Sequence, residues 1–347
     1  KHTLATKRIV RRDDILTASI NESLGALYAQ IGKYNHAEEL LEEGIASRVK
    51  ILGDQHFSLI RSYNFLGNLF LVEGKMIEAE KALSKSSDIA REQLSDTSYA
   101  YIKSLVSLAE FYRILGDFEK SGYLLETSEN TLSRRFGYQH ISLADVLVKR
   151  SELLLSSEED PEVILSILDR AGEIVKFNVG DQHPRYAEIN ELKGMAYIKQ
   201  EKYETALIHF EAANYVYLAT YGDNHVKTAR NRAMVAQLHY SKKSYEQAIK
   251  YYDLAMKTYG YIFDKKHPDY VRMLGKLGMS YYASKQYDKA ADALIRSTSS
   301  YIQYIDEYFP YLSENERTVY WNNIKKDFEI FNSLVAEYHE QDNRLIE

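Results

Sequence analysis

Residues 180–213 read GDQHPRYAEINELKGMAYIKQEKYETALIHFEAA, and this stretch contains one complete structural unit. It opens with the turn sequence Gly-Asp-Gln-His-Pro at Gly180–Pro184. Two amphipathic segments of helical length follow, at 186–200 and 205–213, and a short polar turn separates them. This pattern predicts two helices that face each other across the turn.

The same unit recurs along the chain at a nearly constant interval. One position, three residues after the aromatic residue of the turn, recurs every 42 residues with a single interval of 43. It holds Ala37, Ala79, Ser121, Ile164, Ala206, Ala248 and Ala290. The histidines of the inter-repeat turns follow in phase: His56, His140, His183, His225 and His267. The sequence therefore predicts an all-α fold, a right-handed superhelix (α-solenoid) of about seven 42-residue helix pairs.

Three segments are expected along the chain. Residues 1–12 are a basic N-terminal segment, and residues 13–309 form the repeat array, whose fourth copy is irregular because Ile164 replaces the small residue. Residues 310–347 form a capping or coupling helix. This helix starts at the capping box Ser313-Glu314-Asn315-Glu316 and carries an apolar stripe of Tyr320, Trp321, Ile324, Phe328, Phe331, Val335 and Tyr338.

Composition excludes several classes of function. The chain has 347 residues, a net charge of −6 and no cysteine, which removes disulfides, thiolate metal sites and a cysteine nucleophile. The acidic balance argues against direct binding of nucleic acid, and no apolar run is long enough to span a bilayer. The opening Lys1-His2-Thr3 lacks an initiator Met, so we expect the chain to be part of a longer protein.

The unit resembles the tetratricopeptide repeat (TPR), whose marks appear at Leu24-Gly25-x-x-Tyr28 and Ala206-x-x-x-Phe210. Its 42-residue length is similar to the TPRs of kinesin light chains and of many bacterial multidomain proteins. The segment 309–317, followed by Tyr320-Trp321, resembles the junction that precedes the caspase-like CHAT peptidase domain of bacterial TPR-CHAT proteins. This resemblance implies that the repeats recognise a partner and regulate that peptidase. No catalytic residue can be carried over, because the sequence contains no cysteine.

No metal site, cofactor or catalytic residue is predicted within the chain itself. Successive repeats lie about 10 Å apart, whereas zinc needs nitrogens at about 2.0–2.1 Å, so the turn histidines cannot share an ion. They are expected to form hydrogen bonds in turns and helix caps. Paired acids such as Glu42-Glu43 are neighbours on one helix and do not face each other across a cleft.

A groove for a partner is predicted on the concave side, which the first helix of each pair lines. Counting back from the small residue of each repeat places a polar, basic and aromatic set there. Its members are Arg61, Asn64, Asn68, Lys103, Glu110, Arg113, Arg230, Gln237, Tyr240, Arg272, Met279 and Tyr282.

The resulting hypothesis is a cytoplasmic, non-enzymatic module that holds a protein or peptide in the groove and regulates a C-terminal peptidase domain, which could also contact it within the same chain. Neither membrane binding nor direct nucleic-acid binding is expected. Two alternatives stay open: a stand-alone scaffold or cargo adaptor of kinesin-light-chain type, and a bacterial regulator that senses a short peptide.

Overall fold

The computed structural model describes residues 2–30, 33–263, 265, 267–311, 314–339 and 342, which form helices and turns with no strand among them. The first, or A, helices of seven successive pairs are α1 (His2–Gln30), α3 (Leu59–Glu73), α5 (Tyr99–Ile114), α7 (Ile141–Ser156), α9 (Pro184–Lys199), α11 (Val226–Ser241) and α13 (Pro268–Ala283). The second, or B, helices are α2 (Tyr34–Leu52), α4 (Met76–Gln93), α6 (Phe118–Phe136), α8 (Pro161–Val179), α10 (Tyr203–Tyr221), α12 (Tyr245–Ile262) and α14 (Tyr287–Tyr308). A short 3-10 turn (Phe309–Tyr311) and α15 (Glu314–Tyr338) follow. The prediction of an all-α array of helix pairs is confirmed.

The inter-repeat turns are closed by glycine and histidine acting together. Gly180 takes φ +86°, a left-handed conformation that glycine adopts without strain and that ends α8. His183 Nδ1 then accepts the backbone N–H of Arg185 at 3.1 Å and caps α9. The Nδ1 atoms of the other four turn histidines accept backbone N–H groups in the same way: His56, His140, His225 and His267. The turn histidines therefore form turn and cap hydrogen bonds, as predicted, with His56 binding in the turn before α3 and the others at helix starts.

These caps make a testable contribution to stability. His225→Ala is expected to lower the free energy of unfolding by about 1 kcal/mol at pH 7.5, since the N–H of Lys227 loses its acceptor. Burial, and then the charge of Lys227, lower the pKa of His225. The contribution is thus fully present above the unfolded pKa of about 6.5 and is lost as pH falls from that value through the lower folded pKa. Urea unfolding at pH 7.5 and pH 5 measures this.

In that experiment the difference in the free energy of unfolding between the wild type and His225→Ala should be smaller at pH 5 than at pH 7.5. The control is His36→Ala, because His36 is exposed on α2 and caps no helix. An equal loss at both pH values would mean that His225 stabilises the turn by packing rather than as a neutral acceptor.

Small residues set the spacing of the helix pairs. The residue at the recurring 42-residue position is fully buried in all seven repeats, including Ser121 and Ile164. On the facing A helix, a Cβ added at Gly194 would lie 2.6 Å from Phe210 Cε1, and one added at Gly67 would lie 2.6 Å from Leu83 Cγ. The glycines therefore admit a large B-helix side chain, which confirms the steric interpretation of the repeat signature.

The chain consists of two compact units, residues 1–153 and 154–347, which divide inside the fourth repeat. The first contains α1 to α6 and most of α7, and the second contains α8 to α15. The basic stretch from His2 to Arg12 is the first part of α1. Gly32 of the first repeat turn and Ser313 of the predicted capping box lie outside the described residues. No helix in the described ranges is long and apolar enough to cross a membrane.

Candidate partner-binding site

In the first unit, the predicted groove residues lie on the adjacent A helices α3 and α5. We call this set the first-unit wall: Arg61, Asn64, Asn68, Lys103, Glu110 and Arg113. Asn68 Nδ2 donates to Ser107 Oγ at 3.2 Å and so joins the two helices. The side chain of Arg61 is 68% exposed, and its guanidinium pairs with Glu22 Oε1 at 3.0 Å while lying 5.1 Å from the ring centre of Phe65.

Two members of the first-unit wall have unused binding capacity. Lys103 is exposed, and no hydrogen bond or ion pair joins it to the residues that the structure describes. Asn64 Oδ1 is buried and accepts no hydrogen bond within the same ranges. Buried amide oxygens are normally paired, so the half-buried Asn64 side chain gains a hydrogen bond when it turns this oxygen toward a donor on a partner.

Glu110 and Arg113 neutralise each other instead. Arg113 donates to Glu110 through Nη2 at 2.7 Å and through Nε at 3.0 Å, and Lys149 Nζ lies 3.5 Å from the same carboxylate. Burial raises the pKa of Glu110, but the hydrogen bonds from Arg113 and the charge of Lys149 outweigh it and lower the pKa to about 2. This pair therefore organises the wall and does not present a free charge to a ligand.

In the second unit, the predicted residues lie on α11 and α13. We call this set the second-unit wall: Arg230, Gln237, Tyr240, Arg272, Met279 and Tyr282. Gln237 Oε1 accepts from Lys276 Nζ at 3.0 Å, which joins the two helices, and also from the Tyr252 hydroxyl at 3.1 Å. Tyr240 is half-buried against Tyr245, whose ring centre is 5.6 Å away. Arg230 and Arg272 are exposed, and Arg272 contacts Asp269.

The C-terminal helix covers the remaining part of this wall. Met279 is only 7% exposed because it packs in a cluster with Leu334 of α15. The hydroxyl of Tyr282 donates to Glu337 Oε1 of α15 at 2.9 Å. The expectation that Met279 lines an open groove is therefore wrong, since the apolar stripe of α15 must bury its own surface and does so against α13 and α14.

The sequence analysis missed a pair of buried carboxylates. Glu22 contacts Arg48 and accepts from Ser62 Oγ at 2.5 Å. Glu191 accepts from the Tyr217 hydroxyl and from Asn231 Nδ2, each at 3.1 Å. Glu22 and Glu191 occupy the same position of the repeat, four repeats apart, and aligning the repeats on that position would have revealed them. We call it the carboxylate position.

Helix pairs that pack on one another in succession, as they do within each unit, define an α-solenoid scaffold, a class of protein that binds other proteins or peptides. The tetratricopeptide-repeat family model matches residues 16–92, 185–260 and 232–303, more than half of the chain. The chain belongs to the tetratricopeptide-repeat family.

Individual proteins are similar to this chain in sequence or in structure. RxLR effector protein SFI4 of Phytophthora infestans is 24% identical over 206 residues, which span 59% of this chain and 60% of SFI4. A Rap protein complexed with competence and sporulation factor is 14% identical, with a TM-score of 0.61 over 95% of this chain and 92% of the Rap chain. The TPR-like repeats of a kinesin light chain of Podospora anserina are 20% identical, with a TM-score of 0.46 over 58% of this chain and 95% of theirs.

Proposed function

We propose that the first-unit wall binds an acidic segment of a partner protein or a peptide. The proposal is carried by the unsatisfied Asn64 Oδ1 and the exposed Lys103. Arg61 pairs with Glu22 of the preceding repeat, and Lys103 stands in the same relation to Asn64 one repeat later. An amide at the carboxylate position cannot neutralise a lysine, so Lys103 keeps its charge for an acceptor from outside. A partner backbone N–H suits Asn64, and a partner carboxylate suits Lys103.

Peptides selected from a random displayed library against the purified chain test this proposal. We expect the selected peptides to contain acidic residues, and Lys103→Glu to weaken their binding about tenfold or more, since an attraction becomes a repulsion. Fluorescence anisotropy with labelled peptides measures the change. Lys81→Glu is the matched control, because Lys81 is exposed on the B helix α4. Equal affinities for both variants would contradict the proposed surface.

We further propose that the module acts in the cytoplasm, without catalysis of its own, as the regulator of a caspase-like CHAT peptidase domain. The resemblance of segment 309–317 to a TPR-CHAT junction supports this idea, and the packing of α15 on α13 and α14 supplies a contact through which docking could be transmitted. The reading frame beyond Glu347 tests it: a caspase-like His and Cys would support the proposal. A stop codon there would favour the adaptor or the peptide sensor instead.

A further inference from the structure

The carboxylate position continues through the second unit with a different residue in each repeat. It holds Glu191 on α9, Ala233 on α11 and Gly275 on α13, each 42 residues apart. The facing position of the B helices keeps the same side chain throughout, with Tyr217, Tyr259 and Tyr301. Three equivalent tyrosines therefore face three different residues at the carboxylate position.

In the fifth repeat, the chain supplies its own carboxylate. Glu191 is buried and accepts from the Tyr217 hydroxyl and from Asn231 Nδ2. Burial raises the pKa of Glu191, and the charge of Arg230 on the next A helix opposes that rise. A B-helix tyrosine thus donates to one carboxylate, and the charge of an arginine on the following A helix favours the ionised form of that carboxylate.

In the seventh repeat, a different helix supplies the carboxylate. Gly275 has no side chain, and the carboxylate of Asp327 from α15 lies in the space that a Cβ would take, with Asp327 Cγ 3.0 Å from that point. The Tyr301 hydroxyl donates to Asp327 Oδ2 at 3.0 Å, just as Tyr217 does to Glu191. A separate helix laid across the A helix can therefore deliver an acid to this position.

In the sixth repeat, the tyrosine and arginine are present and the acid is missing. Ala233 and Tyr259 pack in the same buried cluster. Tyr259 is only 4% exposed, yet its hydroxyl has no hydrogen-bond partner in the part of the chain that the structure describes. Burial raises the pKa of Tyr259, the charges of Asp269 and Glu191 add to that rise, and the charges of Arg230 and Arg272 oppose it. Arg272 occupies the position equivalent to Arg230 and contacts Asp269 of its own helix.

We propose that Tyr259, Ala233 and Arg272 form a receptor for an acidic side chain carried by a helical segment of a partner protein. The occupant is a helix because α15 brings Asp327 to the equivalent place one repeat later in that way. The incoming carboxylate accepts from the Tyr259 hydroxyl and takes Arg272 from Asp269. This inference rests on the proposed function, and it adds the chemistry and shape of a second contact, in the other unit.

Supplying the missing acid within the chain tests the receptor without a partner. Ala233→Glu should keep Tm within about 3 °C of the wild type at pH 7, because the Tyr259 hydroxyl donates to the new carboxylate as Tyr217 donates to Glu191. Combined with Tyr259→Phe, the same substitution should lower Tm by about 6–12 °C relative to Tyr259→Phe alone. Ala236→Glu is the matched control, because Ala236 is fully buried on the same helix, and it should lower Tm at least as much. If Ala233→Glu lowers Tm as far as Ala236→Glu, the receptor does not exist.

A synthetic α15 peptide, residues 314–338, tests the occupant. We expect it to bind the chain 1–347, and its Asp327→Asn version to bind about tenfold more weakly. Ala233→Glu and Tyr259→Phe in the protein should each weaken binding of the unaltered peptide. Its affinity should then equal that of the Asp327→Asn peptide for the wild-type protein. Binding that ignores both protein variants, or no binding of the peptide, would overturn the proposed occupant. Neither result bears on the proposal for the first-unit wall. That proposal is tested separately, by the library peptides and by Lys103→Glu.

Discussion

Glu22→Ala is expected to lower the free energy of unfolding by about 3–5 kcal/mol, because it leaves a buried arginine without its counter-charge. Glu22 and Arg48 are 4% and 6% exposed and contact each other, and Ser62 donates to the same carboxylate. Removing the acid therefore strands the Arg48 guanidinium in a site that water does not reach. Urea unfolding followed by circular dichroism at 222 nm measures the loss.

Two further variants separate the ion pair from the general effect of removing a glutamate. Glu42→Ala removes an exposed acid from α2 and should change the free energy of unfolding by less than about 0.5 kcal/mol. Replacing both partners, as Glu22→Leu with Arg48→Met, should recover much of the loss, since neither leaves a buried charge. If Glu22→Ala alone costs no more than the Glu42 control, the pair does not hold α1, α2 and α3 together.

Gly194→Ala should lower the free energy of unfolding by about 1–3 kcal/mol, although alanine favours helix more than glycine does. The new Cβ would lie 2.6 Å from Phe210 Cε1, and Phe210 is fully buried, so its ring cannot move aside. The two helices of the fifth repeat must then separate or the ring must leave its rotamer. Thermal and urea unfolding of the purified variant measure this loss.

Gly172→Ala is the matched control for that substitution in the same unit. Its Cβ would meet Tyr186 Cε2 at 3.6 Å and Ile189 Cγ2 at 3.9 Å, which are ordinary contacts. This variant should therefore be neutral or more stable by up to about 1 kcal/mol. A gain in stability for both variants would show that close helix approach at Gly194 is not required.

The sequence was informative about the first-unit wall and less so about the second. Position counting placed Arg61, Asn64 and Lys103 on neighbouring A helices, because one repeat predicts the orientation of the next. It could not show that Arg113 is held by Glu110, since that pairing depends on rotamers and on the approach of Lys149 from α7. Nor could it show that α15 covers Met279, because α15 lies outside the repeat period.

By itself, the sequence determined the helix pairs, their period and the capped turns, because these depend on local spacing and on contacts between adjacent repeats that recur every 42 residues. Only the tertiary structure decided which polar groups are already satisfied. Asp327 reaches Gly275 and Tyr301 because a long amphipathic helix must bury its apolar face somewhere, and no periodic signal states where. That the Tyr259 hydroxyl has no hydrogen-bond partner among the described residues became significant only when Tyr217 and Tyr301 could be compared with it.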